Sequence, residues 1–231
     1  MKTVTFIGAY DKTDLLIYIA KVLSTAKKRV LIIDSTIMQK MRYVVPSITQ
    51  ARSYITEFEN IDFAIGYTNM NDIIQYLEED IQEKYDIILF DIDSQGAMKS
   101  FDIYKNSINI FVTGFDVYSL KRGLSIIHNT MSYTNFSKIV FSKEMTNKEN
   151  QFINFLSSQY NITWNDKTFY FPLELGNYAV TMENQTKHRI KMKGLSNNYK
   201  DALEYLIQDI FSDEIPSKEI PKLFKIVEKE T

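Results

Sequence analysis

The chain has 231 residues, with 27 basic and 29 acidic side chains and a formal net charge of −2, so no global field favours nucleic acid or an anionic membrane. It contains no cysteine, which excludes disulfides, thiolate metal sites and thiol catalysis together. A hydrophobic fraction of 45% supplies a sizeable core and argues against disorder, and the length suits one large α/β domain.

The N-terminus "MKTVTFIGAY" goes straight into a strand, without the apolar stretch of a signal peptide. No apolar run approaches the roughly 20 residues of a membrane-spanning helix, so a soluble, cytoplasmic protein is expected, with membrane association through partners as an option. "TVTFIGA" predicts a first strand ending at Gly8. The following segment carries Leu15, Leu16, Ile19, Ala20, Val22, Leu23 and Ala26 on a helical face, with Asp11 or Thr13 as its cap. "RVLIIDST" is a continuous apolar run, as expected of a strand covered on both faces, and this strand–helix–strand unit implies a right-handed crossover in a parallel sheet.

The alternation continues. A short strand, a helix and the buried strand 86–92 follow, then a strand over 108–116, a helix over 117–133 and a strand over 137–145. A helix over 147–160, a strand over 168–174 and an amphipathic helix over 198–211 complete it. The expected fold is a doubly wound, mostly parallel α/β sheet with helices on both faces, in a single domain over 1–211. Residues 38–62 fit the alternation less well and are read as a strand-and-helix excursion, with a partner-binding insertion as the alternative. Residues 212–231 form a C-terminal tail whose Ile220, Leu223, Phe224 and Val227 line a short helix. Docking of that helix on its own domain is the first reading, and a membrane or partner surface the second.

The stretch "GAYDKT", Gly8 to Thr13, is where chemistry is expected. A phosphate cradle of the form G-x-x-x-x-G-K-[ST] places five residues between its first glycine and its lysine, so that successive backbone N–H groups turn inward. Here only Ala9, Tyr10 and Asp11 separate Gly8 from Lys12, and Asp11 stands where the second glycine belongs. A carboxylate there repels a polyphosphate, at a cost of kcal/mol in a partly dry site.

The order strand, Gly…Lys-Thr, helix, "KKRVLIIDST", "YDIILFDIDSQG", "FVTGFDVYSLKRGLSII" resembles the ParA/MinD family of deviant Walker-motif P-loop ATPases, over roughly residues 2 to 211. The resemblance implies a P-loop NTPase-like fold, with Gly8, Lys12, Thr13, Asp34 and Asp91 as nucleotide-binding positions. Within that set Lys12 would hold phosphate, and Thr13 and Asp91 would serve magnesium. The family's water-positioning aspartate falls on Thr36, a neutral hydroxyl. Its upstream signature lysine falls in the shortened loop, where Tyr10 is nearest. The base-recognising asparagine reads as Ser142-Lys143, and the Pro-Pro-Gly after Walker B as Asp93-Ser94-Gln95-Gly96.

These departures favour a pseudo-ATPase without catalytic residues or a bound cofactor, working as a scaffold or positioning partner of a bacterial segregation, pilus or secretion assembly. In that reading Lys12 pairs with Asp34 or Asp91. The alternative is a nucleotide-switched ATPase that binds ATP with Mg2+ through a non-standard loop. Protein partners and a homodimer through the face above the sheet are expected. Contact with nucleic acid or membrane, through Lys187, His188, Arg189, Lys191 and Lys193 or the tail, is the lesser alternative. A histidine-based metal site is not expected, because His128 and His188 are distant in sequence. Asp91 and Asp93 are read as facing apart, and Trp164 as a lone loop residue.

Overall fold

The computed structural model describes residues 1–47, 49, 51–102, 107–128, 135–143, 147–160 and 162–229. Its strands are β1 (Lys2–Ile7), β2 (Val30–Ser35), β3 (Tyr54–Phe58), β4 (Ile61–Ile65), β5 (Ile87–Ile92), β6 (Ile108–Gly114), β7 (Asn135–Ser142) and β8 (Thr163–Pro172). They form one eight-stranded sheet in the order β3-β4-β2-β5-β1-β6-β7-β8. Every pairing is parallel except β3 with β4, the doubly wound arrangement expected from the alternation. The carboxyl ends of the parallel strands therefore share one edge, where open α/β sheets place their ligand crevices.

Helices cover both faces because β2 and β5 are apolar at every position but their C-terminal ends. One face packs against α1 (Thr13–Thr25), α2 (Met41–Val44), α9 (Asn197–Phe211) and α10 (Ile220–Val227). The other packs against α3 (Met70–Leu77), α4 (Ile81–Lys84), α5 (Gln95–Ser100), α6 (Val117–Ile127) and α7 (Asn147–Ser157). Helix starts follow local chemistry: Asn69, Ser94, Asp116 and Ser196 each accept a first-turn N–H. Glu78, at φ 55°, breaks into two the helix expected before β5.

Residues 38–62, read as a strand-and-helix excursion, hold α2 followed by an antiparallel hairpin, β3 turning through Glu59 and Asn60 (φ 50° and 63°) into β4; residues 48 and 50 lie outside the described residues. Two readings of the sequence change. Trp164 is not in a loop. It sits on β8, whose strand begins earlier than expected, with its ring 5.5 Å from that of Phe111 and its indole N–H donated to Ser157 Oγ at 2.8 Å. Residues 175–187 form an additional helix, α8, which hydrophobic periodicity does not announce because its buried positions include Asn177 and Asn184. The later parts of the expected helix 117–133 and strand 137–145, residues 129–133 and 144–145, lie outside the described residues.

The basic cluster is the end of α8 and its following segment. Lys187 and Arg189 both pair with Glu183, while Ile190 and Met192 are buried. The tail helix α10 buries Ile220, Leu223, Phe224 and Val227 in the same core as α1. No helix among the described residues is long and apolar enough to cross a membrane.

Candidate functional site

Gly8 ends β1 at a place where backbones nearly touch. At φ 151°, a Cβ on Gly8 would lie 2.1 Å from Val112 O on the neighbouring β6, so only glycine permits this approach. Beside it, β2 and β5 run in register, with Asp34 paired to Asp91 at their carboxyl ends. Their strand parity puts both on the face covered by α1, and both are buried, at 1% and 2% exposure. The chain leaves β1, turns through Ala9, Tyr10 and Asp11, and delivers Lys12 above this pair.

Lys12 does not point outward. Its ammonium forms an ion pair with Asp91 Oδ1 at 2.8 Å and donates to the carbonyl oxygens of Gly8, at 2.9 Å, and Tyr10, at 3.3 Å. The side chain is 2% exposed. Of the two partners weighed from sequence, it takes Asp91. Asp34 is occupied elsewhere: it accepts the Thr36 N–H and hydroxyl at 3.0 and 2.6 Å, and the Met41 N–H at 3.1 Å. Asp34 thus pins the loop leading into α2, and the Thr36 hydroxyl is spent on that task.

The N-terminus of α1 carries an anion of its own. Helix N-termini attract phosphate because their first N–H groups lack partners and the dipole is positive there. Here Asp11 Oδ1 accepts the Thr13 N–H at 3.0 Å, and its second oxygen holds the Lys40 ammonium. Burial pushes Asp11 up, but the Lys40 hydrogen bond and charge, helped by Thr13, outweigh it and hold the carboxyl below its ordinary value. Lys40, between β2 and α2, carries no local sequence signal as an Asp11 partner.

The two inner carboxyls behave oppositely to Asp11. Burial pushes Asp91 up to about 7; the Lys12 charge opposes this and Asp34 adds to it. Burial likewise raises Asp34 against its three hydrogen bonds. A cavity of about 270 Å3 opens beside them, lined by Lys12, Thr13, Thr36, Asp91 and Asp93 among others. The expectation that Asp91 and Asp93 face apart is therefore corrected: residues two apart along a strand share a face, and both reach this cavity. Asp93 accepts the Ile37 N–H at 3.0 Å. Gln95, in the Pro-Pro-Gly position, donates to Ser125 O and His128 O at 2.8 and 3.0 Å, tying α5 to the end of α6.

Five expected positions, Gly8, Lys12, Thr13, Asp34 and Asp91, thus converge at one sheet edge. The central parallel strands with this helix-bearing loop on β1, flanked by β5 with its terminal aspartate, settle the architecture. The chain has the ParA/MinD fold. Over 100% of its length it superposes on 97% of a chain from the MinC:MinD cell division protein complex of Aquifex aeolicus, with a TM-score of 0.56 at 14% identity. A plasmid partition protein from Borrelia burgdorferi bound to AMPPNP superposes with a TM-score of 0.56 at 14% identity, covering 93% of this chain and 99% of that one. The septum site-determining protein MinD from Pyrococcus horikoshii, complexed with Mg-ADP, gives 0.54 at 15% identity, over 89% and 95%. No protein-family model matches the sequence, and no curated protein does.

On this ParA/MinD-like scaffold the residues present do not fit Mg2+ and a nucleoside triphosphate in their observed arrangement. A phosphate at the start of α1 would have to displace the Asp11 carboxylate from Thr13 N–H. Lys12 would have to leave Asp91 and two carbonyl oxygens.

Proposed function

We propose that this chain is a ParA/MinD-fold protein without ATPase activity, which acts as a scaffold or positioning and regulatory partner of a bacterial assembly. The observation that carries the reading is the closed phosphate position: Lys12 and not Asp11 or Thr13 is the N-cap of α1, but the Asp11 carboxylate holds the Thr13 N–H at the helix start, and Lys12 is paired with Asp91 inside the protein. The sandwich-type mechanism needs an inward-turned amide cradle and free cationic groups at the transferring phosphate. Here the cations are already paired.

Binding through surfaces is supported by what the same sheet edge exposes. Ile37 and Met38 follow β2, Val117 and Tyr118 follow β6, and Leu175 and Tyr178 follow β8, all largely solvent-exposed. Apolar side chains gathered at one edge are the kind of surface that protein partners cover. A homodimer through this edge belongs to the same reading. A single monodisperse monomer by light scattering at high concentration, with and without ATP, would remove it.

The second reading is a nucleotide-switched ATPase in which Lys12 holds phosphate and Thr13 and Asp91 hold Mg2+. The cavity of about 270 Å3 beside these three side chains favours it. Calorimetric titration with ATP and Mg2+ separates the two. No heat and an unchanged melting temperature support the scaffold. Micromolar binding abolished by Lys12→Ala establishes the switch and refutes the pseudo-ATPase.

A further inference from the structure

We propose that the open edge of β8 takes up an extended, lysine- or arginine-bearing segment of a partner protein as a ninth strand, whose alternate side chains lie in the groove between β8 and α9. This goes beyond the scaffold reading and does not depend on whether the phosphate site binds nucleotide.

β8 is the last strand of the sheet, with β7 on one side. Its N-terminal half is guarded. The β7–β8 ladder shifts register between Phe136 and Lys138, Asn165 Oδ1 accepts the Lys167 N–H at 2.9 Å, and Asp209 holds the Lys167 ammonium at 2.7 and 2.8 Å. Irregular pairing and charge are how sheets protect an edge. The C-terminal half, "TFYFP" from Thr168 to Pro172, carries no charge. Just beyond it, Leu173 donates its N–H to Ser142 O of β7 at 3.1 Å. Backbone groups alternate in direction along a strand, so Phe171 and Phe169 face β7, and Thr168 and Pro172 turn outward. A proline so placed removes no bond from the ladder. The Thr168 N–H and C=O have no partner among the described residues, and its hydroxyl oxygen is buried without one. An uncharged edge with open amide groups is the template on which a further strand pairs.

A groove accompanies this stretch. A cavity of about 340 Å3 lies between Thr168 and Phe169 of β8 and Asn198, Asp201, Ala202 and Tyr205 of α9. The four α9 residues recur at helical spacing and form one stripe along the strand. Phe169 and Tyr205 make its apolar wall, with rings 5.5 Å apart and Tyr205 59% exposed. A strand added to β8 turns every second side chain toward α9, about 7 Å apart. One such side chain covers Tyr205 while another reaches Asp201.

Charge selects the occupant. Asp201 lines the groove with no hydrogen-bond or ion-pair partner among the described residues, and Glu204 lies one turn further along α9. Burial and, after it, the Asp201 charge push the Glu204 carboxyl up. The neighbouring lysines are committed elsewhere, Lys167 to Asp209 and Lys200 to Glu228. A cationic side chain on the added strand balances this pair, whereas an acidic one is repelled by it.

The test is a two-dimensional NMR titration of the full chain with acetyl-Thr-Lys-Thr-Val-Thr-Leu-Thr-amide. Beside it run the same peptide with glutamate in place of lysine, and two N-methylated forms, one methylated at Lys, Val and Leu, the other at the threonines between them. Expected are saturable shifts at Thr168, Ala202 and Tyr205, and at least tenfold slower exchange of the Thr168 amide. One methylated form should lose binding while the other keeps it, because alternate N–H groups of a paired strand face its neighbour. The glutamate peptide should bind at least tenfold more weakly. Asp201→Asn and Tyr205→Ala, both at exposed positions, keep the fold and should weaken binding of the lysine peptide, and Asp201→Lys should transfer preference to the glutamate peptide. Equal effects of the two methylated forms, equal binding of the lysine and glutamate peptides, shifts elsewhere or no saturation overturns the proposal. So does slowed exchange at Thr168 that grows with the concentration of the chain alone, which would give the edge to a second copy.

Discussion

Replacing Lys12 by methionine keeps the aliphatic stem and removes only the ammonium, which isolates what that charge does. The lost contacts are the 2.8 Å ion pair with Asp91 and charge-assisted hydrogen bonds to Gly8 O and Tyr10 O. A hydrogen bond from a charged group contributes about 1.5–3 kcal/mol, so a loss of about 2 kcal/mol is expected at pH 5.5, where Asp91 is largely protonated. At higher pH the variant must either bury a naked carboxylate or keep it protonated. Burial pushes the Asp91 pKa up to about 7 even with Lys12 beside it, and removing the opposing Lys12 charge moves it higher.

The sign follows from proton counting. A carboxyl whose folded pKa is raised makes the folded state bind more protons than the unfolded chain, so stability falls as pH rises toward the folded pKa. In the wild type that fall ends near pH 7. In Lys12→Met it continues, at about 1.4 kcal/mol per pH unit, adding about 2 kcal/mol of loss by pH 8.5. The total, about 4 kcal/mol, matches the cost of breaking a buried pair from one side. Urea unfolding at pH 5.5 and 8.5 measures both values. Lys12→Met combined with Asp91→Asn should abolish the difference between the two pH values. An equal loss at both pH values, or a larger one in acid, would refute the assignment of Asp91 as the buried proton acceptor.

Other expectations are independent of the site's function. Gly8→Ala, which drives a Cβ against Val112 O, should cost at least about 3 kcal/mol in urea unfolding or yield insoluble protein; a loss under 1 kcal/mol would show that β1 and β6 separate easily. Lys138 is buried on β7 with its ammonium 4.8 Å from the Trp164 ring, and burial pulls its pKa down to about 8. Emission from Trp164, the chain's single tryptophan, should therefore titrate with a midpoint near 8 and become flat there in Lys138→Met. Because the folded state releases this proton before the unfolded chain does, stability should also rise between about pH 8 and 9.5, and Lys138→Met should remove that rise. Phe224→Ala should cost about 3 kcal/mol, since Phe224 is buried against the core beside α1, and the intact chain should not sediment with liposomes. Liposome binding with unchanged stability on truncating the tail would contradict the docked position of α10.

The alternation of apolar runs and amphipathic stretches carried most of the fold, because strands buried on both faces cannot hide their composition and α1 and α9 cannot hide their stripe. The helix α8 escaped for the converse reason: it buries Asn177 and Asn184 through hydrogen bonds to Ser196 and Lys191, so its inner face reads as polar. Trp164 was misplaced because the Asn165-Asp166-Lys167 run resembles a turn, yet an edge strand tolerates charge on its open side.

The sequence by itself determined which residues reach the sheet edge. Gly8, Lys12, Thr13, Asp34 and Asp91 were named by their match to the motifs of the family the sequence resembles, and the strand ends and first turn of α1 on which they lie are local properties. Only the tertiary structure decided how they are spent. The choice of Asp91 over Asp34 for Lys12 depends on Thr36 and Met41 having already satisfied Asp34. The neutralisation of Asp11 depends on Lys40, which the chain brings back from beyond β2. Charge pairing acts over a few ångströms in space, and the register and crossover that set those distances are not written in any one stretch of residues.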